Sequence, residues 1–401
     1  MKICIINNLY PPFARGGAEQ VVKKTVENLL EKGHEVVLIS GSPQGEYSER
    51  KEKLKIYRIK QKNIFYYTDA HKYNIFLRFI WHIFDIFNFS VKNKIKSILI
   101  KESPDVVHTH NLMGLSFLLP KMIQEMHLRH VHTVHDVQLA EPSGIILKNK
   151  EKTWRYTGWP TKIYIFIMRR LFASPEVVIS PSTFLLDFYK SRGFFPNSKF
   201  ALLRNPLTVD FEIKEKKPLQ NTSATLGEEK INFLYLGQIE EHKGIFLLLE
   251  AFASLDKKIQ ENIRLYVAGI GSKFLTVKEK YRQDNILFLG KIKRNELANL
   301  FSNIDVMIVP SLCYENSPTV IFESLYAKIP VLASNIEGIA ELIAEGENGI
   351  TFVAGDIKNL QEKIIYLVKN KEKITEMHNR ISSILQDDGI YISKLEEIYK
   401  K

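Results

Sequence analysis

Short runs of consecutive apolar residues recur along this chain, separated by stretches long enough for helices, and the whole pattern occurs twice. Ile3 to Ile6, Val36 to Ile39, Val106-Val107-His108, Val131 to Val134 and Val177 to Ile179 form the first series. Ile231 to Leu236, Leu265 to Ala268, Ile286 to Leu289, Val306 to Val309 and Val331 to Ala333 form the second. A strand wetted on one side alternates apolar with polar residues, so runs that are apolar throughout must be covered on both faces. Such strands alternating with helices predict doubly wound parallel α/β sheets. A chain of 401 residues has room for two of them. The expectation is an N-terminal Rossmann-like domain over 1–210 and a second over 211–385. The polar stretch from Lys214 to Lys230 would join them, and a C-terminal helix at about 386–401 would pack back on the first. Sheets of this type bind ligands beyond the carboxyl ends of their strands. Two such domains facing a central cleft are the expected architecture.

Composition narrows the class. Hydrophobic residues make up 45% and charged residues 25%, as in ordinary globular proteins. Met1 to Asn8 has no long apolar run and no small-residue cleavage site, and reads as a buried first strand instead of a signal peptide. Cys4 and Cys313 are the only cysteines, which excludes a disulfide framework and suits a reducing, cytoplasmic setting. Cys313 has no matched base nearby in sequence and reads as a packing residue. Charge is uneven: residues 1–210 carry 31 Lys and Arg against 18 Asp and Glu, whereas 211–401 carry 25 against 27. The basic half suits a large anionic partner, either nucleic acid or an acidic membrane surface, unless it is merely solvated. No recognisable nucleic-acid motif accompanies it, so nucleic acid is not expected.

Residues 75–100 stand apart. Ile75, Phe76, Leu77, Phe79, Ile80, Trp81, Ile83, Phe84, Ile86, Phe87 and Phe89 make a very wide apolar helical face, with Arg78, His82, Asp85, Lys92 and Lys96 on a narrow polar stripe. Charge interrupts the run too often for a transmembrane span. Two readings stay open: a core helix of the first domain, or a helix lying in a membrane interface. Lys51, Lys53, Lys55, Arg58, Lys60 and Lys62 form a basic cluster just upstream.

The segment richest in chemistry is Val309-Pro310-Ser311-Leu312-Cys313-Tyr314-Glu315-Asn316-Ser317-Pro318-Thr319-Val320-Ile321-Phe322-Glu323. A strand enters a loop, and Ser317 as N-cap with Pro318 at the first helical position would start a helix. The amides of Thr319 and Val320 would then point outward at the positive end of the helix dipole, which favours an anion. Glu315 lies in the loop before that site. Glu323 lies one turn into the helix, where it can accept hydrogen bonds from vicinal hydroxyls. A phosphate site between two carboxylates suits a nucleotide sugar. The plainer alternative is a capped helix with two solvated glutamates.

This segment resembles the family-4 retaining glycosyltransferases of GT-B architecture (glycosyl transferases group 1), whose Glu-x7-Glu signature is matched by Glu315 and Glu323. The resemblance implies that Glu315 contacts the donor sugar and Glu323 the ribose, with Asn316, Ser317, Thr319 and Val320 completing the donor loop. Pro318 and Lys328 stand where the family usually has Gly. Tyr10-Pro11-Pro12 through Gly16-Gly17-Ala18-Glu19 is similar to the family's N-terminal Gly-Gly loop, so Gly16 and Gly17 are expected near the diphosphate. Leu236-Gly237-Gln238 with His242-Lys243-Gly244 matches the family's diphosphate clamp. Lys243 supplies its charge, and Gln238 replaces the usual Arg. Arg204, before Asn205-Pro206, is a candidate substitute. Gly269 and Gly271 in Ala268-Gly269-Ile270-Gly271, and Lys291-Ile292, match segments lining the base pocket. In the first domain, His135 corresponds to a family His against the donor sugar, with His110 and Asp136 nearby.

Six histidines lie between 108 and 135. Strand alternation separates His132 from His135, and the spacing matches no recognised zinc motif, so no metal is expected. The resemblance implies transfer with retained anomeric configuration, without cofactor or metal, by a front-face route in which the leaving phosphate acts as base. Lys243, His135 and Glu315 are the expected catalytic group, and closure of the two domains would exclude water. The donor would be a nucleotide diphosphate sugar. The acceptor would be a glycan or polyprenyl-diphosphate-linked sugar, in bacterial cell-surface polysaccharide synthesis at the inner face of the cell membrane. A GT-B-fold epimerase or sugar phosphorylase is the alternative enzyme, and a basic nucleic-acid-binding protein the alternative of another class. A dinucleotide-dependent oxidoreductase would need Gly-x-Gly-x-x-Gly after the first strand, which residues 7–20 lack. The sequence is silent on oligomeric state.

Overall fold

The computed structural model describes residues 1–14, 16–209, 230–381 and 388–400. Residues 214–229 of the expected linker lie outside them. The chain divides into two compact units. The first comprises Met1–Gly144, Thr153–Pro206 and Gln386–Lys401, and the second Ile145–Lys152 and Leu207–Leu385. Ile145–Lys152 thus leaves the first half of the chain to join the second unit, which no composition change in the sequence announces.

The first unit contains β1 (Lys2–Ile6), β2 (Glu35–Ser42), β3 (Tyr47–Lys51), β4 (Leu54–Lys60), β5 (Val106–Thr109), β6 (His130–Thr133), β7 (Val177–Ser180) and β8 (Lys199–Leu202). They form one sheet in the order β3-β4-β2-β1-β5-β6-β7-β8, parallel except for the β3–β4 pair. The sequence reading missed β3, β4 and β8. Tyr47-Ser48-Glu49-Arg50-Lys51 is exposed at every position, the polar composition that protects a sheet edge from further pairing. The helix Asp388–Lys400 contributes Tyr391, Ile392, Leu395 and Tyr399 to this unit's core.

The second unit contains β9 (Ile231–Leu236), β10 (Ile263–Ala268), β11 (Ile286–Gly290), β12 (Val306–Val309), β13 (Val331–Ser334) and β14 (Gly349–Phe352), all parallel, in the order β11-β10-β9-β12-β13-β14. Only β14 escaped the sequence reading. Alternate residues of β9 explain why apolar side chains occupy both of its faces. Ile231, Phe233 and Tyr235 enter one buried cluster, whereas Leu234 enters another on the opposite face. Two α/β units with parallel sheets are therefore what the apolar runs encode. In each sheet the order reverses beside its first strand, between β1 and β5 and between β9 and β12, the place where such sheets bind ligands.

Residues 75–100 depart from the expectation of a single core helix. The segment is two helices, Ile75–Ile86 and Phe89–Glu102, because Asn88 leaves helical geometry and its side chain caps the Val91 N–H at 3.1 Å. It is not a core helix along its length. Trp81, Asp85 and Ile86 are buried, while Ile75 is 86% and Phe76 67% exposed. Part of the upstream basic cluster is engaged within the protein, while Lys60 and Lys62 stay exposed. Lys55 pairs with Glu102 at 2.6 Å, Lys53 donates to the Gly33 carbonyl, and Arg58 is buried.

Candidate functional site

In the second unit, loops that follow neighbouring strands pack against one another. The loop after β9 is bonded to the one after β10 through Gly237 N–H to Ala268 O and Ile239 N–H to Ile270 O, at 3.0 and 3.1 Å. A Cβ on Gly269 would lie 1.7 Å from the Gly237 carbonyl oxygen, so only glycine permits this approach. The Tyr235 hydroxyl donates to the Gln238 carbonyl at 2.6 Å and fixes the turn. Gly244, with φ +76°, similarly brings the chain after Lys243 against Pro310, where a Cβ would sit 1.8 Å from the carbonyl oxygen. Leu312 N–H to His242 O at 2.9 Å ties the same two loops. Gln238, Lys243, Gly269 and Gly271 are thereby gathered with the loop that carries Glu315.

Lys243 and Glu315 are direct partners, and the Ser311 hydroxyl donates to the same Glu315 oxygen at 3.0 Å. Burial by itself would lower the Lys243 pKa; the Glu315 charge and hydrogen bond outweigh it and hold the ammonium protonated. Cys313 is buried in this loop, and burial pushes its thiol up to about 12, so it packs and does not react. The helix runs Thr319–Tyr326, with Pro318 as N-cap and no side-chain cap. The expected Ser317 cap therefore gives way, and the helix starts one residue later. Thr319 and Val320 still supply its first amides, for which no intrahelical acceptor exists. Asn316 and Ser317 are buried in the loop before it.

Glu323 is 3% exposed. Burial raises its pKa, which Arg294 and Thr208 oppose. The Thr208 hydroxyl donates to it at 2.9 Å and Arg294 lies 3.5 Å away. Arg294 also donates to the Thr208 carbonyl at 2.6 Å. Sequence reasoning missed both partners, although Arg294 stands only two residues beyond Ile292, which packs against the core nearby. The cation beside Glu323 is Arg294; Arg204, the candidate substitute in the diphosphate clamp, lies in the first unit.

Ile145–Lys152 was missed as well. Leu147 bridges Cys313 in antiparallel fashion, Lys148 N–H donates to Leu312 O, and Tyr314 N–H donates to Ile146 O, both at 2.8 Å. Lys148 pairs with Glu337, and the Tyr314 hydroxyl reaches Glu151 at 3.2 Å. These bonds splint the loop that presents Glu315.

In the first unit the candidate residues lie beyond β1, β5 and β6. Gly16 caps the helix Gly17–Glu31, and its N–H is taken by the Glu19 carboxylate at 2.8 Å, so that amide is already committed. Arg58, read from the sequence only as part of a basic cluster, donates to the carbonyls of Tyr10 and Pro11 at 3.0 and 2.6 Å and stacks on Tyr10 and Phe13, which fixes the Tyr10–Pro12 loop. His110 Nδ1 and His135 Nε2 are 2.9 Å apart. His108 bonds Tyr399 and Thr133, while His130 and His132 both bond Thr109. Burial depresses all five: to about 3 for His108 and His130, about 4 for His135, and well below the ordinary value for His110 and His132. These rings act as neutral donors and acceptors. Burial raises Asp136 to about 6. Among the described residues no group of three His, Cys, Asp or Glu side chains is placed to hold a metal.

Two family models match this chain: Glycosyltransferase Family 4 over residues 15–211 and Glycosyl transferases group 1 over 217–383. A protein of the cps region of Klebsiella pneumoniae is 26% identical over 85% of this chain and 87% of its own length. The lipopolysaccharide 1,2-N-acetylglucosaminetransferase of Salmonella typhimurium is 28% identical over 53% of this chain and 60% of its own length. Among solved structures, HepE of Anabaena in complex with UDP superposes with a TM-score of 0.69 at 15% identity, covering 100% of both chains. With two parallel-sheet units and both family models matched, the chain belongs to the family-4 glycosyltransferases of GT-B fold, the glycosyl transferases group 1.

Proposed function

We propose that this protein is a retaining glycosyltransferase that moves a sugar from a nucleotide diphosphate donor to a glycan or polyprenyl-diphosphate-linked acceptor, in bacterial cell-surface polysaccharide synthesis on the cytoplasmic side. The observation that carries the reading is the pairing of Lys243 with Glu315 beside the first amides of the Thr319–Tyr326 helix, with Glu323 buried on that helix. The UDP complex of HepE supports a nucleotide donor, and the Salmonella relative supports a surface-glycan acceptor.

On this reading Glu323 takes the ribose hydroxyls, and Lys243 with the Thr319 and Val320 amides meets the diphosphate. Glu315, released from Lys243, turns to the sugar. As the bond from the anomeric carbon to the diphosphate oxygen breaks, those donors stabilise the charge left on the diphosphate. The acceptor oxygen bonds to the anomeric carbon on the same face, and its proton passes to the departing phosphate. His135, held neutral by burial and oriented by His110, positions the sugar without adding charge, with Asp136 beside it. No metal is needed where ammonium and amides neutralise the diphosphate, so turnover survives excess chelator.

The test is a panel of nucleotide diphosphate sugars offered with and without polyprenyl-diphosphate-linked sugar. Release of nucleoside diphosphate only when acceptor is present supports transfer. Donor interconversion without acceptor would favour an epimerase, and dependence on free phosphate a phosphorylase.

A further inference from the structure

The first unit carries two helices that each leave several large apolar side chains exposed. On Ile75–Ile86, Phe76, Phe79 and Ile83 follow one helical stripe, and they are 67, 63 and 44% exposed. On Trp159–Phe172, Trp159, Ile163 and Phe166 follow another, 67, 50 and 57% exposed. Their inner faces share a neighbourhood: Asp85 of the first helix accepts the Gly114 N–H at 2.9 Å, Gln138 reaches the sulfur of the adjoining Met113 at 3.7 Å, and the Tyr164 hydroxyl of the second helix donates to the Gln138 carbonyl at 2.9 Å. Soluble monomers rarely leave this much aromatic surface bare.

The charge on these helices is of one sign. Asp85 is the only carboxylate on the first and is buried, and the second has none, whereas Arg78, Lys162, Arg169 and Arg170 are exposed. Beside the break between Ile75–Ile86 and Phe89–Glu102, a recess of about 150 Å³ is lined by Lys60, Lys62, Lys94 and Ser90, with Glu46 paired to Lys94. The Asn88 amide bonds the Lys62 carbonyl at 2.9 Å, which sets this recess next to exposed Phe87 and Phe89.

We propose that this face of the first unit docks on an anionic lipid bilayer, its aromatic side chains entering the interface and the lysine recess receiving a lipid phosphate. No helix among the described residues is long and apolar enough to cross a membrane, so the association is peripheral. Apolar stripes bordered by Lys and Arg have the composition of interfacial helices. Charge selects a bilayer over a second copy of the chain. Twofold association lays a surface on itself and would set these cations against each other, whereas an anionic leaflet attracts them. The inference does not depend on the donor or acceptor.

The test is flotation of the full chain with vesicles of phosphatidylcholine, alone or mixed with phosphatidylglycerol, at low and high salt. The expected result is at least about tenfold enrichment on the anionic vesicles, diminished by salt. Phe76→Ser with Phe79→Ser should lower binding about tenfold at either salt. Lys60→Gln with Lys62→Gln should lower it by a similar factor at low salt and little at high salt. All four positions are outside the core, and circular dichroism checks the fold. If the phenylalanine variant does not fold, Trp159→Ser with Phe166→Ser serves the same purpose. Absence of flotation with anionic vesicles at low salt overturns the proposal. So does equal binding by the wild type and a folded aromatic variant, or self-association that the aromatic substitutions abolish while vesicle binding stays absent.

Discussion

The Lys243 ammonium is bonded to the carboxylate of Glu315, seventy-two residues further along the chain and on the other loop of the same site. The two candidate groups for diphosphate and sugar thus neutralise each other across neighbouring loops. Loss of Lys243 should then act twice. Lys243→Ala should lower nucleotide diphosphate affinity by the value of a charge-assisted contact, roughly 1.5–3 kcal/mol. It should also lower the melting temperature modestly, because Glu315 keeps only Ser311 as a strong partner. Calorimetry with UDP and a thermal scan check both. Unchanged affinity would remove Lys243 from the clamp.

Glu323 and Glu315 should separate by assay. Glu323, fixed by Thr208 and Arg294, is assigned to the ribose, so Glu323→Ala should weaken nucleotide binding about tenfold or more. Glu315→Ala should chiefly slow transfer at saturating donor. Arg294→Ala should resemble a mild form of Glu323→Ala, since it acts by positioning. Equal UDP affinity in the wild type and Glu323→Ala would defeat the ribose assignment.

The histidine network should make the first unit acid-sensitive. Folded pKa values near 3 for His108 and His130 and near 4 for His135 lie below the ordinary 6.5. The unfolded chain therefore takes up protons that the folded chain refuses. This stabilisation is complete above pH 6.5 and is lost as pH falls towards the folded values. The melting temperature should drop across that window, and His130→Gln should flatten the drop. A profile identical to the wild type would show that His130 is not one of the groups involved.

Asp85 should show the opposite sign. Burial lifts it to about 8 from an ordinary 3.8, despite the Gly114 N–H bonded to its oxygens at 2.9 Å. Its contribution is complete below the unfolded value and lost as pH rises through the folded one. Asp85→Asn, which keeps a carbonyl for Gly114, should raise the melting temperature at pH 8 and change it little at pH 4. An equal shift at both would refute the burial account.

Most of the central strands were legible because apolar residues lie on both of their faces, and β9 shows why, sending Phe233 and Leu234 into two different cores. The hairpin β3–β4 was not, because an edge strand such as Tyr47–Lys51 is polar throughout. The 75–100 segment looked continuous because its apolar face carries past Asn88, and a single capping side chain divides it. At the site, Lys243, Glu315 and Glu323 came from local motifs. Arg294, Thr208, Arg58 and Ile145–Lys152 act on residues far from them in sequence, and no local pattern encodes such a contact. The same limit hid the mutual bond of Lys243 and Glu315.

Retention of configuration from a nucleotide diphosphate sugar is the central claim, and proton NMR of the reaction tests it most directly. With an α-linked donor and a polyprenyl-diphosphate-linked acceptor, the account predicts loss of the donor anomeric signal only when acceptor is present. An α-anomeric signal of the new linkage should replace it, unaffected by chelator. A β-linked product, or donor consumption of equal rate without acceptor, would contradict it.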